Sequence, residues 1–92
     1  MDVKEAVAQA KRYVLELFAE ENPTNIGLEE VEFNESENQW YVTIGFSRPW
    51  DEPRNAFTSI SGPASPNRSY KTVRIDNASG AIRSVTIHEA LR

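Results

Sequence analysis

The sequence predicts an α+β domain in which one N-terminal helix packs on a four-stranded antiparallel sheet. Three observations point there. Apolar residues recur at three- and four-residue spacing over residues 3–21, they alternate singly in two later pairs of runs, and a proline-rich stretch separates those pairs. A helix with one apolar stripe and a sheet with one apolar face each need cover, and a two-layer domain supplies it to both. Ninety-two residues are expected to form a single domain, 1–92, around one core.

The helix is read over 3–21, where Val3, Val7, Ala10, Val14, Leu17 and Phe18 make the stripe. Asp2, with Glu5 three residues on, has the form of a capping box at its start. Asn22 and Pro23 are expected to stop it, because proline lacks the next amide donor.

Strands follow at about 28–34 and 39–47. Val31 and Phe33 alternate with Glu30 and Glu32, then Trp40, Val42, Ile44 and Phe46 with Tyr41, Thr43 and Gly45. With Glu35 to Asn38 as a four-residue loop, Phe33 falls opposite Trp40 and Val31 opposite Val42. A long loop over 48–68 carries Pro49, Pro53, Gly62, Pro63 and Pro66, with a short edge strand expected at Phe57 to Ser61. The last two strands, about 69–76 and 81–88, flank Asn77 to Gly80. A turn there with Gly80 in the left-handed conformation sets Val73 opposite Val85 and Lys71 opposite Ile87.

That register gathers Val73, Ile75, Val85 and Ile87 on the helix side. It leaves Tyr41, Thr43, Tyr70, Thr72, Arg74, Ile82, Thr86 and His88 on the opposite, open face.

Composition narrows the chemistry. The chain has no cysteine, which removes disulfides, thiolate metal sites and thiol nucleophiles together. Residues 1–46 carry ten acids against three bases and residues 47–92 four acids against seven bases, leaving −4 overall. An acidic balance argues against a nucleic-acid partner, whose phosphates are met by basic patches. No run reaches the ~20 apolar residues of a membrane span, and the acids near the N-terminus do not suit a secretory signal. The expectation is a cytoplasmic protein without a membrane partner.

The terminal pattern Tyr70-x-x-Val73-x-Ile75-Asp76-x-x-x-Gly80-x-Ile82-x-x-Val85, behind a leading helix, resembles the PepSY and peptidase-propeptide domains, which are broadly cystatin-like. The resemblance covers the last hairpin and the order of elements. It implies a helix against a strand meander and a noncatalytic module that binds or restrains a partner, in some members a peptidase. Members mostly work outside the cytoplasm, and no export segment is seen here. Asp76 and Gly80 match the pattern at positions whose role is structural, so the resemblance supplies no functional residues.

No catalytic constellation is visible. His88 is the only histidine, so a metal site would need carboxylates alone, and none is expected. Glu29, Glu30, Glu32, Glu35 and Glu37 lack the ligand spacing of a calcium loop and suit a solvated edge that resists aggregation. The serines and threonines at 58–65 lack a nucleophile-elbow motif, and Gly62 to Ser65 lacks the lysine and second glycine of a phosphate loop. No cofactor is expected.

Two surfaces remain. The long loop sets Trp50, Phe57 and Ile60 among Arg48, Asp51, Glu52 and Arg54, the mixture of an interaction loop with aromatic anchors. The open face offers Tyr41, Tyr70, Arg74 and Ile82, and tyrosine and arginine are enriched at binding hot spots. The reading is therefore a noncatalytic protein-binding or regulatory module, with partner contacts at Trp50, Phe57, Ile60, Arg48, Tyr41, Tyr70 and Arg74. The same face could stack on a second copy to give a homodimer. The alternative is a ligand-binding or enzymatic pocket between helix and sheet, for which Tyr13 is the best polar candidate.

Overall fold

Asp2 holds extended backbone, and its carboxylate accepts the Glu5 amide at 2.8 Å while Glu5 Oε1 accepts the Asp2 amide at 3.0 Å. This reciprocal cap satisfies donors that the first helical turn cannot, and helix α1, Val3–Leu17, follows. The computed structural model describes residues 1–49 and 68–88 of the chain.

The α-helix stops short of the expected residue 21. Beyond the Phe18 cap, Ala19–Glu21 tightens into a 3-10 turn, with the Glu21 amide on the Phe18 carbonyl at 2.8 Å, and Asn22 takes a left-handed conformation at φ 53°. Pro23 is the cause: its ring disfavours helical geometry in the preceding residue, and asparagine tolerates the left-handed alternative.

Four strands form an antiparallel meander in the order β1-β2-β3-β4: β1 Thr24–Asn34, β2 Gln39–Ser47, β3 Ser69–Asp76 and β4 Ile82–Ile87. The pairings Phe33↔Trp40, Val31↔Val42, Val73↔Val85 and Lys71↔Ile87 are those the alternation predicts. β1 begins four residues earlier than expected. Its first half escapes pattern reading because its register against β2 shifts between Thr24 and Gly27 and again between Leu28 and Glu30. Each irregularity spoils the two-residue period that marks a strand.

A third shift corrects the open face. Arg74 pairs with Ser84 but Ile75 with Ile82, so Arg83 is the extra residue and Ile82 turns to the helix side, where it packs against the core. Ser84 takes the place expected for Ile82 opposite Arg74. The spacing Ile82-x-x-Val85 carries the signal, since two apolar residues three apart share a strand face only across a bulge.

Ala6, Ala10 and Val14 of α1 meet Val42, Ile44, Phe46, Val73 and Ile75 of β2 and β3, and none of the eight exposes any area. Val7, Phe18, Ile26, Val31, Trp40, Ile82 and Val85 pack around them. The two small alanines let the helix approach the sheet, while the larger residues of the central strands fill the space between the layers. Phe18 rests on Phe46 with ring centroids 5.2 Å apart.

The two hairpin turns are tied together. The Asn77 amide donates to the Asn38 carbonyl at 3.0 Å, its Nδ2 to Asn38 Oδ1 at 3.1 Å, and its Oδ1 accepts Trp40 Nε1 at 2.9 Å. Next to it, Asp76 accepts the Ser79 amide at 2.8 Å and the Ser79 hydroxyl at 2.9 Å. These bonds, the amide first, hold the Asp76 carboxyl below the usual carboxylate range. Gly80 closes the turn at φ 76°, where a side chain would be strained, and its carbonyl accepts Gln9 Nε2 of α1.

Candidate functional site: the open face of the sheet

Helix α1 covers one face of the sheet, and the described residues place no helix on the other. Alternation and register array that second face in rungs across the strands. One runs Glu32–Tyr41–Arg74–Ser84, the next Glu30–Thr43–Thr72–Thr86, and a third Gly27–Gly45–Tyr70.

The first rung holds an ordered cluster. The Arg74 guanidinium lies over the Tyr41 ring, 4.9 Å from its centroid, its Nη2 donating to Glu37 Oε1 at 3.1 Å and its Nε to Gln39 Oε1 at 3.2 Å. The Tyr41 hydroxyl donates to the same Glu37 oxygen. That bond favours the protonated phenol and is the main reason the Tyr41 pKa is raised, with the Arg74 charge opposing it. The Arg74 and Glu37 side chains remain 35% and 44% exposed, so the ion pair itself adds little to stability. It joins the two large side chains through one shared acceptor, Glu37 Oε1.

The middle rung is a hydroxyl chain, with Thr43 Oγ1 3.1 Å from Thr72 Oγ1 and the latter 3.4 Å from His88 Nδ1. Thr43 is only 4% exposed, flanked across the strands by Glu30 and Thr72. At the third rung the missing side chain of Gly45 is used. A Cβ there would sit 2.7 Å from Glu29 Oε2 and 2.8 Å from Arg68 Nη2, so the glycine makes room for the Glu29–Arg68 ion pair, 3.5 Å long, to cross the sheet. Tyr70 lies beside it, its carbonyl accepting the His88 amide at 3.0 Å.

Of the seven residues expected to contact a partner, Tyr41, Tyr70 and Arg74 share this face, the first and last in direct contact. Arg48 lies elsewhere. It sits on the helix side, Nη1 on Glu21 Oε1 at 2.6 Å and Nη2 on Ser69 Oγ at 2.7 Å, with its guanidinium 5.5 Å from the Phe46 centroid and 5.9 Å from that of Phe18. It ties the 3-10 turn after α1 to β3. Trp50, Phe57 and Ile60, like the edge strand expected at 57–61, lie outside the described residues. Pattern reading missed Glu37, Gln39 and Arg68, which join the face from a turn, a strand end and the chain before β3. Only the tight spacing of Glu37 and Gln39 before Tyr41 hints at two of them.

The face has donors, acceptors and aromatic area, and among the described residues its hydroxyl-to-histidine contact is Thr72 Oγ1 with His88 Nδ1, 3.4 Å apart. Among the described residues no three His, Asp or Glu side chains are placed to hold a metal ion, and no helix is long and apolar enough to cross a membrane. The arrangement presents a hydrogen-bonded tyrosine–arginine pair beside carboxylates and hydroxyls. Comparison of the chain with protein-family models, with curated proteins and with solved structures returned no match.

Proposed function

We propose that the domain is a noncatalytic protein-binding module that presents the sheet face opposite α1 to a partner. The observation that carries this is the Tyr41–Arg74–Glu37 cluster, on a face that no helix covers among the described residues. A side chain already fixed in one rotamer loses less entropy on docking, and tyrosine and arginine are the residues on which binding energy concentrates. The cluster contributes little to the fold, so its order is better explained by recognition than by stability. Tyr70 widens the surface, and the PepSY-like pattern of the last hairpin supports a restraining rather than a catalytic role. Trp50, Phe57 and Ile60 belong to the proposal on sequence grounds, and a second copy of the chain is included among the partners.

The test is affinity capture from the native cell, comparing the full chain with the Tyr41→Ala/Arg74→Ala double variant after circular dichroism shows both folded. Recovery of the specific partner is expected to fall about tenfold or more. Undiminished recovery by the folded double variant would refute the reading. Sedimentation at several concentrations addresses the homodimer, which a constant monomer mass removes.

A further inference from the structure

We infer that the free edge of β1, with the groove between β1 and α1, is a docking site for an extended peptide whose apolar residues alternate with basic ones. Its groove lies on the helix side, and only its Glu30–Glu32 margin belongs to the open face. In the order β1-β2-β3-β4, β1 is paired on one side only among the described residues, so alternate N–H and C=O groups of its regular stretch, Glu30 to Asn34, point outward. An incoming strand can complete that ladder, and its side chains then fall in turn on the two faces of the sheet.

On the helix side those side chains meet an apolar groove. Val3 and Val7 form one wall and Leu28 and Val31 the other, with Lys4 and Lys11 at its margin. Val3 and Leu28 each leave 43% of their area in water, beside Val7 and Val31, which pack against the core. Covering adjacent apolar groups of this kind is favourable. The lysines stand seven residues apart on α1, two helical turns along one flank, and disfavour a cation at the groove-facing positions of the peptide.

On the other side the peptide runs beside Glu30 and Glu32. Both are exposed, and neither has an ion pair among the described residues. These carboxylates decide between occupants. A second copy pairing β1 with β1 sets the glutamates of both chains on the same face, and like charges opposed across strands are destabilising. The row thus blocks self-addition, a recognised use of charge on edge strands. A strand bearing lysine or arginine at the same positions turns that repulsion into attraction. Apolar toward the groove and basic toward Glu30 and Glu32 is the alternation both sides select.

The test uses the full chain and three end-capped heptapeptides: alternating valine and lysine, the same composition with the lysines in one block, and alternating valine and glutamate. Titrations are followed by amide chemical shifts. The alternating valine–lysine peptide is expected to perturb Glu30 to Asn34 and the Val3 to Lys11 flank, and to bind about tenfold more tightly than the other two. In the E30K/E32K variant, whose changes are on exposed side chains, preference is expected to move to the valine–glutamate peptide. Equal binding of alternating and block peptides, shifts centred on β4, or an unchanged preference in E30K/E32K would each overturn the proposal. So would a concentration-dependent mass with shifts along β1, which assigns the edge to a second copy. Loss of capture by the Tyr41→Ala/Arg74→Ala variant leaves these shifts unmoved, so the two proposals fail separately.

Discussion

Glu37 Oε1 takes a hydrogen bond from Tyr41 and another from Arg74, and this shared acceptor sets how the face titrates. Because the bond to Glu37 raises the Tyr41 pKa in the folded chain, its stabilising contribution is complete below the ordinary tyrosine value. That contribution is lost as pH climbs through the raised one. We expect the Tyr41 phenol, followed by ultraviolet absorbance against a Tyr41→Phe control, to ionise above the ordinary tyrosine value. Glu37→Gln is expected to lower that midpoint, since the carboxylate is the stronger acceptor and carries the charge that opposes a phenolate. A midpoint indifferent to Glu37 would mean that the cluster does not persist in solution. Such a pairing was out of reach of periodicity, because Glu37 sits in a turn and reaches Arg74 across 37 residues of chain.

Bulges decide at the element scale what alternation cannot. The extra residue Arg83 returns Ile82 to the helix side, whereas Ile87, five residues on, stays 72% exposed at the edge. Ile82→Ala is therefore expected to cost about 2 kcal/mol in denaturant unfolding, toward the low end for isoleucine because the site is only partly buried. Ile87→Ala should stay within about 0.5 kcal/mol of the parent, as surface changes do. The uninterrupted register exposes Ile82, so equal costs would restore it. Arg48 makes a similar point. By position it opens the proline-rich stretch, but its bonds to Glu21 and Ser69 and its place over Phe18 and Phe46 make it part of the junction between α1, β2 and β3.

For the whole molecule, stability rests on a small core whose largest fully buried side chain, among the described residues, is Phe46. Phe46→Ala removes the ring under Phe18 and Arg48 and leaves a cavity between helix and sheet, at a cost of about 3–5 kcal/mol. Set against the ~5–15 kcal/mol typical of folded domains, that is enough to populate the unfolded state, which thermal melting followed by circular dichroism would read. Phe46→Leu, which keeps most of the volume, should melt between the two. A melting temperature unchanged in Phe46→Ala would place the core elsewhere.

The sequence by itself determined the capped start of the helix, the class of one helix on a four-stranded antiparallel sheet, and the pairings Phe33 with Trp40, Val31 with Val42, Val73 with Val85 and Lys71 with Ile87. Each of these is written in neighbouring positions: a period of 3.6 or 2, a capping pair, an asparagine-to-glycine turn. Only the tertiary structure decided where the bulges fall, that Ile82 faces inward, and that Arg48 bonds Glu21 and Ser69. It also decided that Tyr41 and Arg74 are locked together through Glu37 and that Asn77 joins the two turns. Those outcomes depend on pairs such as Glu21 with Arg48, Glu37 with Arg74 and Asn38 with Asn77, separated by 27, 37 and 39 residues. No local period records such pairs, because their partners become neighbours only after the sheet has formed.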